Sequence, residues 1–138
     1  MPVIRNARPS DLDAVLTLWE QAAGPTRLPS DVHSLSELLE RDADALLIAD
    51  EAGEILATII VGWDGWRCHL YRLAVRGDVR RHGLATDLVA HARERARRLG
   101  ARRLDAMVDD DNELAHRFWS AIGFTSGQSK DDRWISPV

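Results

Sequence analysis

Two spacings of apolar residues alternate along the chain and predict alternating helices and strands. An apolar stripe at helical spacing, Leu12, Val15, Leu16 and Trp19, predicts a first helix capped by Ser10 and ending near Gln21. A second stripe at Leu35, Leu38 and Leu39 predicts a helix that begins near Ser30-Asp31. These two helices precede most of the strands.

Short apolar runs bounded by turn residues predict the strands. They are Val3–Asn6, Ala45–Ala49, Ile55–Val61, Cys68–Val75, Arg102–Val108 and a last pair marked by Phe124 and Trp134. Tight turns are expected at Asp50–Gly53 and Gly62–Gly65. Between the later strands, a four-residue spacing from Leu84 to Ala96 predicts a long helix with a C-terminal cap at Gly100, and Asp111–Ile122 a short one. The order predicts a single domain, residues 1–138, of mixed α/β (α+β) architecture.

Composition indicates the class of protein and the compartment to which this domain belongs. The 138 residues are 45% hydrophobic and 29% charged, as in an ordinary globular protein, and no apolar run is long enough to predict a membrane span. The first residues do not resemble a secretory signal, and the lone Cys68 fits a reducing compartment. We expect a cytoplasmic protein that does not associate with membranes.

Positive charge is concentrated in one segment. Between Arg76 and Arg103, nine arginines stand against three acidic residues, a local net charge of +6 within a chain of net charge −4. Such a segment is typical of an anion site or of a solvated helix face. The acidic remainder argues against a nucleic-acid partner.

The strongest candidate for an anion site lies where the fourth strand meets the long helix. A strand, a short loop and a helix N-terminus bring several backbone N–H groups and the positive end of the helix dipole to one place. Gly83 allows close approach of a ligand, and Arg80, Arg81 and His82 add donors and positive charge. The alternative is that Gly83 only allows a tight turn and that no anion binds there.

The segment Arg80-Arg81-His82-Gly83-Leu84-Ala85 resembles the first signature of the GNAT superfamily of N-acetyltransferases: Arg or Gln, two residues, Gly, one residue, then Gly or Ala. A second resemblance follows at Asn112, Ala115, Phe118, Trp119 and Gly123-Phe124. The two motifs occur at the family's separation, so the resemblance extends from Ile4 to Phe124.

The resemblance implies a mostly antiparallel sheet with a splayed central strand pair, flanked by about four helices, and acetyl-CoA as co-substrate. The residues it implies for coenzyme binding are Leu73, Ala74, Val75, Arg80, Arg81, His82, Gly83, Leu84, Ala85, Thr86, Asn112, Ala115 and Trp119. The early helices and the strand around Tyr71 would form the groove for an amine acceptor. A homodimer through the C-terminal strands is common in the family.

Two departures from the family leave the catalytic groups open. Trp119 stands where the family usually has a tyrosine that can protonate the leaving thiolate, and indole is no practical acid, so packing is its expected role. The glutamate that often serves as base near Tyr71 or Arg72 is missing. Tyr71, His69 and Asp64 remain candidates, with His69 and Tyr71 expected on one face of their strand.

Two classes of function therefore remain open. The first is an N-acetyltransferase that moves acetyl directly to a primary amine, without an acyl-enzyme on Cys68. The second is a catalytically idle acyl-CoA-binding regulatory domain. No histidine or cysteine spacing predicts a metal site. The motifs do not identify the acceptor.

Overall fold

The computed structural model describes residues 1–23, 31–108, 112–126, 134 and 136–138. Two units are distinguished by their internal contacts, Met1–Met107 and Val108–Val138. The larger unit contains the whole sheet and three of the four α-helices. The domain prediction, a single domain over residues 1–138, stays a prediction.

Five strands form one mixed sheet in the order β1-β2-β3-β4-β5. They are β1 (Val3–Asn6), β2 (Leu46–Glu51), β3 (Glu54–Trp63), β4 (Cys68–Val75) and β5 (Leu104–Ala106). The first four pair antiparallel, whereas β5 pairs parallel to β4. The predicted α+β mixed sheet is confirmed.

Two helices cover one face of the sheet. Helix α1 (Leu12–Ala23) follows a short 3-10 turn, and α2 (Val32–Arg41) begins after the N-cap Asp31, whose carboxylate accepts from the Ser34 N–H at 2.7 Å. Their apolar stripes pack on sheet residues in one core cluster, which includes Leu12, Val15, Trp19, Leu35, Leu39, Leu46, Ile48, Ile60 and Ala74. This core confirms the helical spacing of the two stripes.

The third helix, α3 (Leu84–Leu99), contacts β2, β3 and β4. Strand β3 is buried at six consecutive positions, Leu56–Val61, as expected when both faces of a sheet are covered. Gly100 ends α3 in the left-handed conformation, at φ 86°, as the sequence predicts. Among the described residues, no helix combines the length and apolar character that crossing a membrane requires.

A buried ion pair attaches α3 to the rest of the larger unit. Arg95 is 7% exposed, and its guanidinium donates to both carboxylate oxygens of Asp42 at 2.7 Å. It also donates to the Val61 carbonyl at 2.7 Å. Asp42 is the C-cap of α2, so one side chain links a helix on each face to the central strand.

The smaller unit contains α4 (Glu113–Ala121). Asn112 caps this helix, because its side-chain oxygen accepts from the Ala115 N–H at 3.1 Å. Trp119 is 9% exposed and packs edge-on against Phe118 and Phe124, with ring centroids 5.2 and 4.8 Å away.

Several predicted boundaries were wrong. Ser10 is not an N-cap: it lies inside the 3-10 turn Pro9–Asp11, where Asp11 accepts from the Arg8 N–H at 2.7 Å. Helix α1 continues beyond Gln21 to Ala23. The hairpin turn contracts to Ala52-Gly53, both at positive φ, and β3 extends through Trp63.

Other predictions concern the C-terminal third. The strand predicted over Arg102–Val108 is formed only at Leu104–Ala106. Phe124 and Trp134 are not in strands, and most of the segment between them lies outside the described residues. Positions 24, 25 and 30 and the aspartates at 109–111 also lie outside them.

Candidate functional site

The turn between β4 and α3 has an unusual sequence of backbone conformations. After a 3-10 turn at Gly77–Val79, Arg80 is extended, Arg81 is left-handed at φ 70° and Gly83 is left-handed at φ 80°. Two left-handed residues turn the chain sharply just before α3, and backbone N–H groups in turns of this type can form an anion-binding concavity. Arg81, His82 and Gly83 are all exposed.

The N-terminus of α3 opens onto this turn without a capping side chain. Gly83 is the N-cap, and within the described part of the chain no side-chain hydrogen bond caps the first turn of the helix. The N–H groups of this first turn therefore remain available to an anion at the positive end of the helix dipole. A sixteen-residue helix presents a full dipole at this position.

No described residue outside the turn and its helix occupies the space beside Gly83. A Cβ built on Gly83 meets no atom within 4 Å. Protein packing therefore does not require glycine there, whereas φ 80° and the close approach of a ligand both favour it. Arg80 contacts the carbonyls of Val75 and Ala22, each at 3.4 Å, and so links the turn to the ends of β4 and α1.

The edge of β4 that leads to this turn is only partly paired. Its parallel pairing with β5 covers Cys68 to Leu70 and stops there. From Tyr71 to Val75, β4 has no strand partner on that side among the described residues. An extended ligand arm can pair with the main chain of Leu73 and Val75 along this edge.

The three candidate bases lie in different environments. Asp64 accepts from the backbone N–H groups of Arg67 and Trp66, and these hydrogen bonds hold its pKa below the usual range. Asp64 is thus a turn-capping carboxylate and a weak base. Burial raises the pKa of Tyr71, so its phenol stays protonated.

His69 has the arrangement of an oriented base. Its Nδ1 lies 3.4 Å from Oδ2 of Asp105, the residue beside it on β5. A carboxylate at Nδ1 favours the tautomer with the proton on Nδ1, which leaves Nε2 as acceptor. His69 and Tyr71 pair with Gly62 and Ile60, residues of the face covered by α1 and α2, so the expected shared face is confirmed.

Sequence reasoning missed Asp105 as the partner of His69 and Thr58 as a buried polar residue. Thr58 is fully buried and is the only hydroxyl residue in β3. A hydroxyl inside an apolar strand was the signal that could have identified it. The other predicted coenzyme residues, Asn112, Ala115 and Trp119, lie in the smaller unit.

The model of the acetyltransferase (GNAT) family matches residues 12–124. This chain belongs to the GNAT acetyltransferase family. An acetyltransferase of Pectobacterium atrosepticum is 32% identical over 110 residues, which cover 80% of this chain and 78% of that protein.

Solved structures of the family share the fold. An N-acetyltransferase from Staphylococcus aureus Mu50 superposes with a TM-score of 0.77 at 22% identity and covers 92% of this chain and 86% of that one. AAC(6')-Iy, in complex with the bisubstrate analogue CoA-S-monomethyl-acetylneamine, superposes with a TM-score of 0.75 at 19% identity over 100% and 99%. GNAT acetyltransferases take their acetyl group from acetyl-CoA. Among the described residues, no group of three or more potential ligands could hold a metal ion.

Proposed function

We propose that this acetyltransferase moves the acetyl group of acetyl-CoA directly to a primary amine of a small molecule, peptide or protein. The observation that carries the proposal is the turn at Gly83, where two left-handed residues and a helix N-terminus without a capping side chain follow a strand edge that has no partner among the described residues. A pyrophosphate fits the first feature and a pantetheine arm the second.

Different segments of the larger unit are proposed to bind different parts of the coenzyme. The turn from Arg80 to Thr86 holds the pyrophosphate by backbone N–H groups and positive charge. The carbonyl of Leu73 and the main chain of Val75, with Ala74 between them, pair with the pantetheine. In the smaller unit, Asn112, Ala115 and Trp119 are proposed separately as coenzyme-binding residues; Trp119 would contribute by packing, since its indole already contacts two aromatic rings.

Transfer requires the acceptor to reach the thioester as a neutral amine. His69 is the residue that we assign to accept the amine proton, directly or through a water, because Asp105 orients its ring. The neutral amine then attacks the thioester carbonyl, the C–S bond breaks, the thiolate of CoA leaves, and the remaining excess proton on the nitrogen passes to water. Neither Trp119 nor Tyr71 is needed as an acid in this scheme, since a thiolate is a tolerable leaving group.

The decisive experiment is a thiol-release assay with acetyl-CoA and a panel of amines, followed by mass spectrometry of the acceptor. We expect CoA release that depends on the amine, with an acceptor 42 Da heavier, the mass of an acetyl group that replaces a hydrogen. Tight acetyl-CoA binding without amine-dependent release would instead support an idle acyl-CoA-binding domain. A cytoplasmic location, where acetyl-CoA is available, is part of the proposal.

A further inference from the structure

Strand β4 contains a bulge one residue before Leu73. Ile60 faces Tyr71 and Thr58 faces Ala74, so a single β3 residue between them stands opposite both Arg72 and Leu73. Arg72 is left-handed at φ 55°, a conformation that is unfavourable for a residue with a Cβ. A bulge of this kind persists only where the surrounding contacts hold it.

Buried contacts from β3 and α1 hold the bulge. The Thr58 hydroxyl donates to the Arg72 carbonyl at 2.9 Å and accepts from the Trp19 indole N–H at 2.8 Å. Thr58 is 0% and Trp19 3% exposed, so neither bond competes with water. The Arg72 guanidinium also lies 4.6 Å from the centre of the Trp19 ring.

These contacts determine the direction of one peptide group. In a planar trans peptide, the carbonyl and the N–H point in opposite directions. Because Thr58 holds the Arg72 carbonyl on its own side, the N–H of Leu73 points away from Thr58. This N–H lies on the stretch of β4 that has no strand partner beyond Leu70 among the described residues.

We propose that Thr58, oriented by Trp19, is a positioning residue that aims the Leu73 N–H at the carbonyl oxygen of the bound thioester. The proposal rests on the acyl-transfer function proposed above. A backbone donor aimed at the oxygen stabilises the negative charge that develops as the amine attacks. The contact network works through the main chain, and the side chains of Thr58 and Trp19 do not touch the substrates.

The test compares Thr58→Val with Thr58→Ser. Valine keeps the shape of threonine and removes the hydroxyl, whereas serine keeps the hydroxyl and removes the methyl group. We expect Thr58→Val to lower kcat about 100-fold, with unchanged affinity for acetyl-CoA by calorimetry, because a misdirected donor affects the transition state most. Thr58→Ser should retain kcat within about threefold, within the range of an intact donor.

Two results would overturn the proposal: an unchanged kcat in Thr58→Val, or an equal loss in Thr58→Ser. If Thr58→Val does not fold, Trp19→Phe decides, because it keeps the ring over Arg72 and removes only the donor to Thr58. We expect Trp19→Phe to lower kcat several-fold; an unchanged kcat refutes the role of Trp19 and with it the proposal. A wild-type protein without amine-dependent CoA release refutes the proposed function itself, whereas an active wild type with a fully active Thr58→Val refutes only the positioning role.

Discussion

At the scale of single residues, the two ends of α3 offer a matched pair of glycines. Gly83 and Gly100 are both left-handed, at φ 80° and 86°, and a Cβ on either meets nothing within 4 Å. Alanine at each position should therefore cost a similar stability, about 1 kcal/mol from the left-handed backbone alone. A difference in acetyl-CoA affinity between the two variants would therefore arise from contact of the coenzyme with one of the two positions.

We expect Gly83→Ala to weaken acetyl-CoA binding at least tenfold, or about 1.4 kcal/mol, and Gly100→Ala to leave it unchanged. Gly83→Asp should weaken binding further, because a carboxylate would face the pyrophosphate. Calorimetry measures the affinities, and thermal unfolding checks that the two alanine variants are equally folded. Equal affinities in the two alanine variants would contradict the phosphate assignment at Gly83.

The proposed base makes a second prediction at this scale. His69→Gln should lower kcat/KM about 100-fold, the ordinary contribution of a general base. Asp105→Asn should lower it less, since the ring remains but loses its orienting carboxylate. His91→Gln is the control, because His91 is an exposed histidine on α3 that contacts its own helix. An unchanged kcat/KM in His69→Gln, or an equal loss in His91→Gln, would exclude His69 as the base.

At the scale of elements, the contact of Arg95 with α2 and β3 makes a prediction about stability. Asp42→Ala leaves the buried Arg95 guanidinium with the Val61 carbonyl as its one hydrogen-bond acceptor among the described residues, and should lower the free energy of unfolding by about 2 kcal/mol or more. Glu94→Ala removes the partner of Arg97, an exposed pair on the same helix, and should cost less than about 0.5 kcal/mol.

Chemical denaturation of the two variants measures both values. Equal losses would show that burial of the Arg95 ion pair contributes nothing to stability. The pair lies away from the turn at Gly83 along α3, so acetyl-CoA affinity should be unchanged in whichever variant remains folded.

The bounds of strands and helices were predicted correctly where the pattern of apolar residues is sufficient to define them. The bounds of β1 and β4 were predicted as observed, and so was the length of α3 with its terminal glycine. Prediction was less accurate where side-chain hydrogen bonds compete with spacing. Arg8 rather than Ser10 precedes the first turn because the Asp11 carboxylate accepts from the Arg8 N–H and also from Arg5.

At the scale of the whole molecule, the mechanism predicts a ternary complex. Cys68 is the only thiol of the chain, is completely buried, and has its pKa raised by that burial. A buried, protonated thiol cannot carry an acyl group between substrates. Cys68→Ala should therefore keep activity within about twofold, because no covalent step is lost.

Initial rates with both substrates varied should give intersecting lines for the wild type and for Cys68→Ala. Parallel lines, or acetylated Cys68 trapped without acceptor, would instead indicate an acyl-enzyme. Circular dichroism of the variant controls for unfolding, since the smaller side chain leaves a cavity at a fully buried position.

How far the candidate site follows from the sequence also depends on scale. The proposed phosphate turn is local, so the short motif from Arg80 to Ala85 is sufficient to propose it. The contacts of Thr58 with Trp19 and Arg72 join three elements that are distant in sequence, and no local pattern encodes them. The bulge at Arg72 is likewise not encoded locally, because it is defined by the register of β4 against β3. His69 and Tyr71 share a face of β4 because both precede the bulge.

The burial of Cys68 has a practical consequence for measuring turnover. A thiol-reactive dye added to the folded protein should find no reactive group on it, so the colour that develops should count released coenzyme A alone. If the chain unfolds during the assay, the dye should gain one equivalent per chain, because the sequence holds a single cysteine. The same reagent then monitors both catalysis and the integrity of the enzyme: a slow rise without acceptor, levelling at one thiol per protein, marks denaturation.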